Sequence, residues 1–309
     1  MSFATILGLG QTALELGLIS SLTVLALFLS YSMLNVCDLS TDGCFTLGAT
    51  VGAVVMLTGH PVLAIFAAMG SGILSGFVVS FLQTKMGIDS LLSGIIVNTA
   101  LYSVNVWIFG GSALKNLNTA DSVFTIVKGW LANTFLADYY RLVTILFFVI
   151  LAVVFLSLFL RTRLGLAIRA TGDNPDMVRS SSINPTFTTI IGLCVANAFT
   201  ALSGCLLAGY QKSVDVASVG VGMVTIALAS LLIGRAFFPK GSVPLKAIAA
   251  VLGAFIFRLV YTIALRFNMP AFWLKLVSSV IVIIAISGPY IKRQFPTIKR
   301  NLERFRRKS

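Results

Sequence analysis

Apolar residues run along this chain in long blocks, without the alternation of a half-buried strand or the single stripe of a surface helix. Leu142 to Leu160 carries no charge, and only Thr144 and Ser157 in it are polar. A helix rises about 1.5 Å per residue, so a block of that length crosses the roughly 30 Å hydrocarbon core of a bilayer. Blocks of this kind predict membrane helices over 16–35, 43–58, 61–82, 89–109, 141–160, 187–210, 222–238, 245–265 and 271–290. The second is short and Gly-rich, which leaves it either broken or only partly inserted. The first fifteen residues form either a surface helix or part of the first span. A β-barrel would instead show alternating segments of about 10 residues. The expected architecture is all-α: a single polytopic helical bundle over 1–309, about nine (eight to ten) helices, in a cell (plasma or inner) membrane.

Composition fits this pattern. The chain is 57% hydrophobic with a mean hydropathy of +0.97, beyond what a water-facing surface permits. There is no Lys or Arg before Lys85 and no small-residue cleavage pattern, so the first span is expected to double as the insertion signal. Cys37, Cys44, Cys194 and Cys205 lie in or beside apolar runs and form no C-x-x-C pair, which favours buried free thiols over metal or redox use.

The net charge of +13 is placed, not spread. One set of loops holds Lys85, Arg161, Arg163, Arg169, Arg179, Arg235, Lys240, Lys246 and the eight basic residues after Tyr290. The other set holds Lys115, Lys128, Arg141, Lys212, Arg266 and Lys275. Basic residues favour the cytoplasmic side, so segment 161–188 and the basic tail 291–309 are expected inside, and the N-terminus outside. The tail then meets water or anionic lipid rather than nucleic acid. Trp107, Trp130, Tyr139, Tyr140, Tyr210 and Trp273 fall near expected outer ends, as an interfacial belt requires. The longest outer loop, 110–140, is large enough to meet an external partner.

Polar residues within the blocks are costly and face the protein interior or a wet cavity. Ser93, Asn98, Thr99, Ser103 and Asn105 lie in one block; Asn98 and Asn105 share a helix face. They either line a path for a polar solute or bond neighbouring helices. Asn197, Thr200 and Ser203 form a second stripe. Arg258 sits inside a block; it pairs with an acid, is solvated in a cavity or snorkels, and pairing is the preferred expectation, with Glu15, Asp38 and Asp42 the candidates. GATVG (Gly48, Gly52) and GILSG (Gly72, Gly76) place small residues four apart for close helix packing. No G-x-x-x-x-G-K-[ST] loop, H-E-x-x-H or nucleophile elbow occurs, so nothing marks an enzyme or a nucleotide-binding loop of the Walker type.

One polar island interrupts the pattern: RATGDNPDMVRSSSIN, Arg169 to Asn184. Asn174 suits an N-cap, Pro175 the first helical turn, and Asp176 the positive helix end. These predict one short helix to about Ser181, outside the bilayer, with Pro185 stopping it. Gly165 and Gly172 are expected to permit sharp turns into it. So short a helix has no core of its own and must dock on something.

The island resembles the cytoplasmic coupling segment of ABC-importer permeases of the branched-chain amino-acid and ribose type, whose pattern runs roughly G-x-N-P-x-A-A-x-x-x-G-I. Gly172, Asn174, Pro175 and Ile183 match; Met177 and Val178 replace the small pair, and Ser182 stands where Gly is usual. DLSTDGCFTLGAT (38–50) resembles the DLS segment that opens the family's second span. ALSGCLLAGY (201–210) and GVGMVTIALASLLIG (220–234) resemble its sixth-to-seventh span region, with Gly222-Met223-Val224 in place of the usual Glu and RAFFPKGS in place of a glycine-rich stretch.

The resemblance implies a permease subunit without an ATPase site or cofactor of its own. Two cytoplasmic ATPase subunits would hold ATP and Mg, a second permease chain would complete a pore (a homodimer), and an external solute-binding lipoprotein would deliver the substrate for alternating access. Coupling to the ATPase would fall to Arg169, Gly172, Asp173, Asn174, Pro175, Asp176, Met177, Val178, Arg179 and Ile183. The substrate path would involve Asp38, Ser40, Ser93, Asn98, Asn105 and Asn197. An amino acid, aromatic or branched-chain, is the first expectation for the solute; monosaccharides and nucleosides are the alternative. The rival class is an ion-driven secondary transporter or channel, which places acids in mid-membrane. Asp38 and Asp42 are expected near a span end, which weighs against it.

Overall fold

The computed structural model describes residues 3–131, 137–238 and 241–266, together with Leu276, Ser279, Val280, Ile283 and Ser287. The expected ninth span over 271–290 therefore lies almost wholly outside the described residues, as does the basic tail 291–309. The other eight expected spans are all helices. Six are long and apolar enough to cross a membrane; Thr41–Leu57 and Met223–Phe237 are apolar but shorter.

Helix α1 (Phe3–Leu27) starts well before residue 16, so the first residues belong to the same helix as the first span. It runs into a π-helical stretch, Phe28–Met33, where Leu34 N donates to Leu29 O at 3.0 Å. The chain then breaks. Asn35 has φ 56°, a left-handed backbone that asparagine tolerates better than most residues, and regular helix resumes only at α2 (Thr41–Leu57). That short helix is unbroken and mostly buried.

Helix α3 (Pro61–Thr84) begins on a proline, where a missing N–H costs nothing. Helix α4 (Ser90–Ile108) is capped by Asp89, whose side chain accepts from Leu91 N at 2.9 Å. The loop after it holds strand β1 (Leu114–Asn116) and α5 (Val123–Leu131). Helices α6 (Tyr140–Phe159), α7 (Arg163–Asp173), α8 (Pro175–Ser180) and α9 (Pro185–Gln211) follow. Strand β2 (Ser213–Asp215) pairs antiparallel with β1, Lys115 opposite Val214. Helices α10 (Met223–Phe237) and α11 (Val243–Arg266) complete the described bundle.

The β1–β2 pair fixes sidedness within the molecule. It brings the C-terminal ends of α4 and α9 to one end. The start of α9 packs with α7 and with the π-helix at the other. The polar island and the long loop therefore occupy opposite ends.

The core is α1, α2 and α9, whose windows are largely buried, while α4, α6 and α11 bury only about a third of theirs. Phe66, Leu74, Trp107 and Phe147 project outward as apolar side chains, the surface that a hydrocarbon solvent accepts. Inside, glycines let backbones touch. A Cβ on Gly48 would run into the backbone of Ala201, and one on Gly204 into Phe45 O. Gly72 and Gly76 meet α9 in the same way, at Asn197 O and Leu193 O. Without water to drive association, such close contact is what holds membrane helices together.

The island departs from expectation: two helices, α7 and α8, stand where one short helix is expected. Gly165 and Gly172 make no turn; both lie inside α7. Each is where another backbone passes: Gly165 against Phe159 O and Leu160, Gly172 against Met33 O and Leu34. Space, rather than conformational freedom, is what those glycines supply.

Candidate functional site

Two groups of residues stand out, one at the end of the bundle and one buried within it. At the end, α7 and α8 form a bent pair. Asn174 ends α7 with an extended backbone and starts α8 with its side chain, Oδ1 accepting from Asp176 N and Met177 N at 3.1 Å each. Pro185 opens α9 by the same device, Asn184 accepting from Thr186 N at 3.0 Å. One Asn-Pro step thus starts each of two successive helices.

Packing sorts the expected coupling residues. Asp173, Asn174, Pro175, Asp176, Met177, Arg179 and Ile183 are exposed, Met177 to 67%. Val178 is buried and anchors α8, Arg169 is half-buried, and Gly172 is keyed into the π-helix. Thr171 and Thr188 hydroxyls hydrogen-bond at 2.8 Å, tying α7 to α9. Arg179 and Asp176 make an exposed ion pair at 3.6 Å, the one ion pair among the described residues. Around these polar groups Leu164, Leu166, Met177, Ile183 and Phe187 are exposed and apolar. The result is a pre-formed knob of mixed character, locked to α9 and the π-helix on one side and open on the other.

Ser182, which stands where the family pattern has Gly, has φ 61°. This is the left-handed region that glycine enters at little cost, so the backbone here explains the usual residue.

The second group surrounds Asp38. This carboxylate is 2% exposed. Its Oδ1 accepts from Ser40 N at 2.8 Å and Ser40 Oγ at 2.6 Å, and its Oδ2 from Asn197 Nδ2 at 2.9 Å. Asn197 lies halfway along α9, so Asp38 sits at mid-depth rather than near a span end. The expectation is corrected, and its physical reason is the break at Leu34–Ser40. That irregular backbone turns back into the bundle, burying Leu34, Asp38 and Ser40 while Asn35 stays exposed, and Asp38 supplies acceptors to it.

The expected pathway residues on α4 face α2. Asn105 is fully buried, with Oδ1 accepting from Thr50 Oγ1 at 3.2 Å and Nδ2 donating to Gly43 O at 3.4 Å. Asn98 is half-buried beside Gly43. Ser93 is buried and donates to Asp89 O at 2.9 Å within its own helix. Asp38, Ser40 and Asn197 therefore form one cluster, while Asn98 and Asn105 lie along the α2–α4 seam and Ser93 bonds only the start of its own helix.

Several contacts escaped the sequence. Asp42 caps α10 from 180 residues away, accepting from Gly222 N at 3.0 Å and Val224 N at 2.8 Å. Glu15 accepts from Tyr210 Oη at 2.9 Å and from Gln11 Nε2 at 3.0 Å. Arg258 forms none of its expected ion pairs: Glu15, Asp38 and Asp42 are each engaged elsewhere. Its guanidinium lies over the Tyr261 ring at 5.2 Å, and its buried Nε has no hydrogen-bond partner among the described residues.

At the end opposite the island, α5, α6 and α9 enclose a cavity of about 240 Å³. Phe124, Lys128, Tyr140, Arg141, Tyr210 and Lys212 line it, with no carboxylate among its lining residues. Arg141 lies over the rings of Tyr140 and Tyr210, at 5.6 and 5.3 Å. Such a cavity can receive a negative group beside an aromatic ring.

Comparison with known proteins bears on both ends. The family model for the permease component of branched-chain amino acid transport systems matches residues 11–286. The tyrosine transport system permease protein of Clostridioides difficile is 33% identical over 267 residues, covering 86% of each chain. The galactose/methyl galactoside import permease protein MglC of Escherichia coli is 26% identical over 235 residues, covering 75% of this chain and 67% of its own. No solved structure matches. These relatives are permease subunits, not enzymes, and their ATPase is a separate chain. A multi-pass helical bundle with a capped, exposed polar knob and no Walker loop therefore has its place: the chain belongs to the ABC-importer permeases of the branched-chain amino-acid and ribose type.

Proposed function

We propose that this chain is the membrane-spanning subunit of an importer for an amino acid, aromatic or branched-chain, and that α7 and α8 carry the ATPase stroke into the bundle. The observation that carries the coupling role is the knob itself. Its capped tip is exposed, and its base meets the π-helix through Gly172 and α9 through Thr171. A push on α8 is thereby delivered to the break that positions Asp38 against Asn197. In the resting bundle that pair closes the centre; alternating access would separate it. The knob would face the cytoplasm, as its basic residues favour, with two ATPases beneath a dimer of this chain and a binding lipoprotein at the opposite end.

The amino-acid assignment rests on the tyrosine permease relative and on the cationic, aromatic cavity. A carboxylate suits Arg141, Lys128 and Lys212, and an aromatic side chain suits Tyr140, Tyr210 and Phe124. A sugar or nucleoside is the second reading, favoured by the galactose permease relative and by a nucleoside permease of Lactococcus lactis that is 27% identical over 182 residues.

Proteoliposomes holding this chain, its ATPase and its binding protein should accumulate labelled tyrosine or leucine only with ATP inside the ATPase compartment. Uptake by the chain alone, driven by an ion gradient, would refute the importer reading. Galactose or nucleoside uptake without amino-acid uptake would refute the substrate. Arg141→Gln should weaken amino-acid uptake about tenfold through its apparent KM, the scale of one charge-assisted contact.

A further inference from the structure

The π-helix closes on a second, smaller pocket, at the same end as the knob. It measures about 80 Å³ and is lined by Phe28, Ser32 and Met33, by Arg235 and Phe238 at the end of α10, and by Lys246 on α11. Two cations share this small space, no carboxylate lines it, and neither cation forms an ion pair among the described residues. Arg235 is exposed and Lys246 half-buried, so water reaches both charges, and neither has a carboxylate partner among the described residues. The Ser32 hydroxyl is a separate observation. It is buried with no hydrogen-bond partner among the described residues, a condition that native proteins rarely leave uncompensated.

One anion answers both problems. A tetrahedral phosphate would accept from the two cations and from Ser32 together. The rest of the lining names the source. Phe28, Met33 and Phe238 set apolar groups beside the cations, which suits a phosphate attached to acyl chains better than a free ion. The position agrees, since basic pockets between helices on the cytoplasmic side meet an anionic leaflet.

We propose that Arg235, Lys246 and Ser32 hold the phosphate of an anionic phospholipid at the knob end of the bundle. The identity of that leaflet as cytoplasmic rests on the orientation proposed above. The lipid would brace one side of the π-helix while Gly172 of α7 packs on Met33 O at the other. π-Helical turns are frequent at functional sites, and this one would join the bilayer's charge to the coupling segment.

The test uses the full chain, purified in detergent and offered equal phosphatidylglycerol and phosphatidylcholine, with retained lipid read by native mass spectrometry. Wild type should retain phosphatidylglycerol preferentially. R235Q/K246Q should lose roughly thirtyfold of that preference, the effect of two basic residues near an anionic leaflet. S32A should lose severalfold and disturbs the fold least, so it decides the matter if the double variant does not fold. Lys115→Gln, at the opposite end, should change nothing. Equal preference in wild type, R235Q/K246Q and S32A would overturn the site. Inorganic phosphate that displaces phosphatidylglycerol at equal concentration would overturn the lipid assignment in favour of a free-phosphate site. Lipid retention by the purified chain needs neither ATPase nor substrate, so its failure leaves the importer reading standing.

Discussion

Asp38 shows what a single residue can reveal only in three dimensions. Its neighbours in sequence, Leu39-Ser40-Thr41-Asp42, resemble the polar start of a span. Its partner Asn197 is 159 residues away. Asn197→Leu would strip Oδ2 of that donor inside a low-dielectric bundle. The expected cost is about 1–3 kcal/mol, read as a lower unfolding temperature in detergent. Adding Asp38→Leu should recover part of it, because two apolar groups leave nothing unpaired; a double variant worse than the sum of its parts would contradict the pairing. Ser182 supports the opposite prediction. Its φ of 61° strains a residue with a Cβ, so Ser182→Gly should be neutral or stabilising by up to about 1 kcal/mol. A clear loss of stability would show that the hydroxyl matters more than the backbone.

Local chemistry made part of this legible at the level of elements. Asn174-Pro175 names its own cap, because donor and acceptor lie within three residues. The six helices long enough to cross a membrane, among the described residues, follow from apolar length alone. Gly165 and Gly172 suggest turns in the sequence because nothing nearby shows that Phe159 O and Met33 O pass over them. Asp42 was equally hidden, since the helix it caps begins 180 residues later. Helix packing gives its own test. Gly48→Val or Gly204→Val should collapse the α2–α9 contact and the yield of monodisperse protein. Gly70→Val, where an added carbon meets nothing within 4 Å, should be tolerated. Comparable loss in all three would contradict a packing role specific to the α2–α9 seam.

Across the whole molecule, one break in the backbone lies between two functional ends. The knob at one end holds the π-helix, the π-helix leads into Asp38, and α9 runs from the knob past Asn197 to the cavity at the other end. Family membership implies an ATPase partner; the proposed coupling would run along this route to the centre. Measuring ATP hydrolysis and labelled-substrate uptake together, in proteoliposomes of the complete importer carrying N174A/P175A, tests that route most directly. The account predicts a folded, assembled complex that still hydrolyses ATP while uptake per ATP falls at least tenfold. Wild-type uptake per ATP in that variant would contradict it.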